Sequence, residues 1–205
     1  MMLSTRGAAS AALIFSLILF VLEAYATVIS FQESGVAGLR FYTVLSNEMM
    51  LIASAFTLFA FRFPGIKDHA ELLNYIATCM LMLTFLVVIF VLTPLDLKDG
   101  VNPAHYYIGC TATIHHVVAP ILAFINFCFV ARNESLASWV IAAAMGVTLV
   151  YTIVILYLNY WRVMVGPYPF FHIYEQSLQA SIFWIIAIGA FALLIDVVVF
   201  HLGKS

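Results

Sequence analysis

Residues 179–202 read QASIFWIIAIGAFALLIDVVVFHL, an apolar run broken by one carboxylate, Asp196, with no lysine or arginine. Wound as a helix at about 1.5 Å per residue, the run is roughly 36 Å long, enough to cross about 30 Å of hydrocarbon. It is apolar on every face, so no amphipathic stripe fits it to the surface of a soluble core. The stretch predicts a transmembrane helix, and its neighbours repeat the pattern. Comparable runs fall at roughly 8–31, 39–63, 70–94, 107–131 and 136–161. Short polar or turn-forming segments separate them: Gln32-Glu33-Ser34-Gly35, Phe63 to Asp68, Asp96 to Pro103, Arg132-Asn133-Glu134 and Gly166-Pro167-Tyr168-Pro169.

Composition agrees. Hydrophobic residues make up 65% of the 205 and charged residues 9%, against about 45–50% and about 25% in a soluble domain. Lipid can solvate that much apolar surface; a soluble fold could not hide it. The expected fold class is all-α: one polytopic domain over residues 1–205, a single bundle of about six transmembrane helices. A formal charge of -2 gives no basic field for nucleic acid, so no nucleic-acid partner is expected. Cys79, Cys110 and Cys128 share no C-x-x-C spacing and read as packing residues.

Arg6, the apolar run after it and Ala24-Tyr25-Ala26 imitate a signal peptide with its cleavage site; the run is read here as the first spanning helix. Six crossings put Arg6, Arg62, Lys67, Arg132 and Lys204 on the side of both termini, and Arg40, Lys98 and Arg162 opposite. That bias predicts cytoplasmic termini. The sequon Asn133-Glu134-Ser135 then lies inside, where it would carry no sugar.

Ionisable groups inside a membrane are costly and mark functional sites. Here they are Glu23, Glu48, His115, His116 and Asp196. In the second helix Thr43, Asn47, Met50, Ser54 and Thr57 repeat at 4-3-4-3 spacing, one stripe that should face the bundle interior. Small polar residues at such spacing also serve close helix packing, and that reading stands beside the functional one. In the fourth helix His115 and His116 point about 100° apart. Pro120 has no amide hydrogen and its ring clashes with the carbonyl four residues back, so it should free the His116 carbonyl and kink the helix. A histidine satisfied by a neighbouring carbonyl is the plain alternative to a working one.

Depth brings several of these groups together. His115, Glu23 and Asn47 lie roughly 12 Å from the outer boundary, and Thr43 about 6 Å shallower. The Gly166 to Phe171 loop and His172 belong to the same side, whereas Asp196 lies nearer the inner surface and reads as a separate structural or snorkelling group. A threonine hydroxyl becomes nucleophilic when a base takes its proton, and a neutral imidazole is the usual base. There is no G-x-S-x-G, H-E-x-x-H, P-loop or dinucleotide fingerprint, so a Thr–His pair is the catalytic unit the sequence offers.

Three segments carry a resemblance. Arg40-Phe41-Tyr42-Thr43-Val44-Leu45-Ser46-Asn47, His115-His116-Val117-Val118-Ala119-Pro120-Ile121-Leu122 and Gly166-Pro167-Tyr168-Pro169-Phe170-Phe171 occur in an order that resembles the androgen-induced (FAR-17a/AIG-type) family of six-helix membrane hydrolases, including its bacterial six-helix relatives. Ser46-Asn47 is closer to those relatives. The resemblance implies an intramembrane hydrolase of lipid esters, such as fatty acid esters of hydroxy fatty acids. Thr43 would be the nucleophile and His115, five residues before Pro120, the general base and then acid, with His116 its rival if the register differs. Asn47 could donate to the substrate oxygen or oxyanion, Glu23 or Glu48 could orient His115, and Tyr168 and Phe170 would close the outer mouth over the substrate.

The expected partner is therefore a membrane lipid or lipid ester, with no cofactor. A competing reading is a non-enzymatic carrier, channel or accessory subunit using Glu23, Glu48 and His115 as a proton or cation path; the lack of an internal repeat speaks against a standard secondary transporter. A metal site from His115, Glu23 and Glu48 has no ligand-spacing signature, so none is expected.

Overall fold

The computed structural model describes residues 5–133 and 136–204. Glu134 and Ser135 of the sequon lie outside them. Every regular element among the described residues is helical, and six are long and apolar enough to span a membrane. We number these α1 (Thr5–Ser34), α2 (Tyr42–Arg62), α3 (Pro64–Lys98), α4 (Cys110–Val130), α5 (Trp139–Tyr160) and α6 (Leu178–Lys204). The protein is an all-α, multipass membrane protein.

α3 is the central post. Of its most apolar stretch 61% is buried inside the protein, against 22–39% for the other five. It packs on α2, α4, α5 and α6, while Ile14, Leu17, Val21 and Val28 of α1 and Ile153, Ile182 and Ile186 of α5 and α6 point outward, where lipid can solvate them. Small and polar residues let the helices close up, as expected where dispersion and interhelical hydrogen bonds replace the hydrophobic drive. Ala53, Ser54, Ala70 and Ala77 are buried between α2 and α3, and Asn74 of α3 donates to Thr57 Oγ1 and to the Ala53 carbonyl of α2. Gly203 of α6 lies hard against the Phe127 ring of α4.

The third span runs on past residue 94: ahead of Pro94 the helix widens into a π turn at Val88–Leu92 and continues as Thr93–Lys98. α4 does the same at Ile114–Val118, directly before Pro120. In each case the last amide before the proline reaches five residues back: Thr93 to the Val88 carbonyl and Ala119 to the Ile114 carbonyl. Widening the turn accommodates a missing N–H without breaking the rod.

One further expectation is narrowed and another corrected. Of the two readings of Asp196, structural or snorkelling, burial favours the structural one: it sits in the α3–α6 seam, where Tyr75 donates to its backbone carbonyl at 2.7 Å. Cys110 is exposed at the head of α4, whereas Cys79 and Cys128 are packed as expected.

Candidate functional site

One end of the bundle gathers most of the residues singled out by sequence. α2 begins at Tyr42 with Phe41 as its cap position, and Phe41 supplies no side-chain acceptor for the free amides of the first turn. Tyr168, from the loop between α5 and α6, fills that role. Its hydroxyl accepts the Thr43 N–H at 3.2 Å and shares a hydrogen bond with Thr43 Oγ1 at 3.3 Å.

The loop is held for this task. Pro169–Phe171 forms a 3-10 turn. His172 Nε2 lies 3.0 Å from the Gly166 carbonyl, Gln176 donates to the Phe170 carbonyl at 3.1 Å, and Asn159 donates to the Phe171 carbonyl. A Cβ on Gly166 would fall 2.8 Å from the Phe171 carbonyl oxygen, so the turn needs glycine there. Phe170 stacks on Tyr168 with ring centroids 5.2 Å apart, and both are buried. Burial pushes the Tyr168 phenol pKa upward, which keeps the hydroxyl neutral.

Thr43, Tyr168, Phe170 and Phe171 line a cavity of about 40 Å³ with Thr84, Thr148 and Thr152. It is room for a water, far below the 300–1,000 Å³ of a ligand pocket. Its walls are cross-linked by hydroxyls: Ser46 with Thr84 at 3.1 Å, and Tyr42 with Thr148 at 2.7 Å.

The α2 stripe does run inward. Asn47, Met50 and Ser54 are fully buried, and Thr43 and Thr57 are half-buried. Asn47 clamps two helices: its Nδ2 donates to the Thr43 carbonyl at 2.7 Å and to the His115 carbonyl at 3.5 Å. The carbonyl that α4 presents to it belongs to His115, whereas straight α-helical geometry pointed to His116; the π turn accounts for the difference of one residue. With both amide hydrogens on carbonyls, Asn47 has no free donor in this arrangement, and its Oδ1 has no partner.

His115 and His116 part company as their angular separation suggested. His116 Nδ1 lies 2.8 Å from the Tyr106 carbonyl and its ring stands edge-on to Tyr106, which ties the α3–α4 connection to α4. His115 turns inward. Its Nε2 is 4.0 Å from Glu23 Oε2 on α1, with Glu23 fully buried and His115 5% exposed. At that distance neither group satisfies the other: Nε2 and both Glu23 carboxyl oxygens have no hydrogen-bond partner. Glu48 accepts from Thr27 Oγ1 at 2.9 Å, one turn along α1 from Glu23, and is near enough for the two carboxyl groups to interact. Thr27 escaped the sequence reading, although it follows Glu23 by one turn on the same face.

Thr43 and His115 are thus joined through Asn47 by their backbones, while no hydrogen bond links their side chains. Among the described residues no cluster of three or more His, Cys, Asp or Glu could hold a metal.

Compared with protein-family profiles, curated proteins and solved structures, the chain matches none.

Proposed function

We propose that this protein is an intramembrane hydrolase of lipid esters, with Thr43 as nucleophile and His115 as the proton-transfer group. The observation that carries the reading is the Asn47 clamp, which sets the backbones of Thr43 and His115 side by side within the bundle while leaving His115 Nε2 unpaired against a buried carboxyl. Nε2 would take the Thr43 proton as Oγ1 attacks the acyl carbon. The tetrahedral intermediate would collapse with cleavage of the ester C–O bond, His115 returning the proton to the departing alkoxide. Water would then release the acid from Thr43 by the same exchange.

On this reading Glu23, 4.0 Å from Nε2, would stabilise the imidazolium formed there rather than orient the ring, and Tyr168 replaces Asn47 as the oxyanion donor, since its hydroxyl adjoins the nucleophile and Asn47 has no spare hydrogen. The conformation described is then a closed one. Substrate must part Tyr168 from Thr43 Oγ1 and enlarge the small cavity before Thr43 turns to His115. On the positive-charge bias of the sequence, this end would face the outer side, with the termini cytoplasmic.

A fluorophosphonate hydrolase probe tests the assignment. Peptide mapping should find the label on Thr43, with labelling lost in Thr43→Ala and His115→Ala variants that retain wild-type helicity. Equal labelling of wild type and Thr43→Ala would remove the nucleophile.

The unpartnered Glu23 oxygens and His115 Nε2 also favour a second reading, proton or cation passage through a non-enzymatic carrier. It predicts uptake into proteoliposomes that is abolished by Glu23→Gln and unaffected by Thr43→Ala. The hydrolase reading predicts no such uptake.

A further inference from the structure

We propose that a crevice at the opposite end of the bundle binds the hydroxyl end of an uncharged lipid alcohol, the chemistry shared by a fatty alcohol and an acylglycerol. The crevice has a volume of about 720 Å³ and is lined by α1, α2, α3 and α4. That volume falls within the range of ligand pockets. None of its lining residues belongs to the Thr43–His115 assembly, so the inference stands apart from the hydrolase reading.

Each of the four helices gives the crevice one uncharged polar side chain: Ser16, Thr57, Asn74 and Asn126. The pair from α2 and α3 is satisfied. Asn74 donates to Thr57 Oγ1 and to the Ala53 and Ala70 carbonyls, and Thr57 donates to the Ala53 carbonyl at 3.0 Å. This is the ordinary use of polar residues in a seam between membrane helices.

The pair from α1 and α4 is different. These helices also pack together, and Ser16 and Asn126 are 1% and 5% exposed. Yet Ser16 Oγ and Asn126 Oδ1 have no hydrogen-bond partner among the described residues. Buried polar atoms cost free energy unless something bonds them. Two such residues, on neighbouring helices and lining one crevice, fit a ligand that bonds both.

The donor and acceptor pattern sets the class of ligand. A carboxamide oxygen only accepts, whereas a serine hydroxyl both donates and accepts. A ligand hydroxyl answers both, donating to Asn126 Oδ1 while accepting from Ser16 Oγ. An ester or ether oxygen only accepts and would leave Asn126 Oδ1 unpaired. Depth sets the charge. Ser16 lies eleven residues into α1 and Asn126 four residues from the end of α4, roughly 16 Å and 6 Å along their axes. A charge carried below the helix ends must shed its water, which is costly without a counter-ion. Ser16 and Asn126 offer none. Ala12, Phe61, Phe127 and Val130 are among the remaining walls, apolar surface for the start of the chain before it enters the bilayer.

Photo-crosslinking tests this. The protein in phosphatidylcholine nanodiscs is irradiated with a diazirine analogue of oleyl alcohol, and the label is mapped by peptide. It should fall on α1 and α4 around Ser16 and Asn126. At equal mole fraction in the bilayer, oleyl alcohol should compete about tenfold more strongly than its methyl ether, which cannot donate to Asn126, and more strongly than oleate. Ser16→Ala should weaken labelling about fivefold, as loss of one hydrogen bond does, while Ser16→Thr and Thr43→Ala label as wild type does. Asn126→Leu should abolish the advantage of the alcohol over the ether. If Asn126→Leu fails to fold, Ser16→Ala against Ser16→Thr decides. Label mapping elsewhere, equal competition by alcohol and ether, stronger competition by oleate, or labelling indifferent to Ser16→Ala would each overturn the proposal.

Discussion

Replacing Tyr168 by phenylalanine removes one oxygen from the centre of the site and little else. The ring keeps its stack on Phe170 and its place among Phe41 and Phe171, so the apolar area it buries is retained. What is lost is the acceptor for the Thr43 N–H, in a first turn that has no other side-chain cap. A helix cap contributes about 0.5–2 kcal/mol, and a buried amide left without a partner costs about 1–3 kcal/mol. These describe the same loss, so they do not add. Tyr168→Phe should destabilise the protein by about 1–3 kcal/mol.

A double-mutant cycle divides that figure. Thr43→Val removes the side-chain oxygen and keeps the N–H. The coupling between Thr43→Val and Tyr168→Phe therefore reads only the hydroxyl–hydroxyl bond, about 0.5–1 kcal/mol given its 3.3 Å length. Unfolding in mixed micelles, followed by far-ultraviolet circular dichroism, supplies all four free energies. The single Tyr168→Phe cost should exceed the coupling, the excess being the orphaned amide. A cost below about 0.5 kcal/mol would refute the capping argument. The same variant reads function independently: if Tyr168 donates to the oxyanion, ester hydrolysis slows about 10²-fold, whereas a purely structural tyrosine lowers stability and leaves turnover per folded molecule unchanged.

Other parts of the molecule give sharp expectations. Gly203→Ala would put a Cβ 2.4 Å from the Phe127 ring, which also packs against Tyr75, so thermal unfolding should show a loss of about 1–3 kcal/mol; an unchanged midpoint would mean that this helix contact is loose. Glu23→Leu replaces two partnerless buried oxygens with apolar volume and should stabilise the bundle by about 1–2 kcal/mol while reducing Thr43 labelling, the trade-off expected of a functional group. If both stability and labelling fall, Glu23 is structural. Tyr106, in the connection before α4, has its phenol pushed from 10.0 to about 12, by burial first and by the Asp96 charge second. A folded pKa above the unfolded one gives stability that is complete below pH 10 and disappears as pH rises through about 12. Tyr106→Phe should therefore flatten the alkaline limb of a stability profile in that window.

Run length alone made the six spans legible, because a helix buried in lipid must be apolar for some 20 residues and short turns must separate such runs. Periodicity also read the inward stripe of α2, since Asn47, Met50 and Ser54 fall on one face whatever they pack against. Partner choice was harder. Tyr168 is 125 residues from Thr43, and nothing in the local pattern of either says that a phenol would cap the first turn of α2. The prolines show where the limit lies. A missing amide at Pro120 necessarily frees a carbonyl upstream, and that much follows from covalent structure. Which carbonyl reaches Asn47 depends on whether the turn is wound as α or π, and α1, α2 and α3 pack around that turn. The widened turn brings the His115 carbonyl to Asn47 while the His115 ring faces Glu23, and the His116 ring meets Tyr106. The one-residue difference therefore separates two adjacent histidines: one faces the buried Glu23 carboxyl and the other secures a loop.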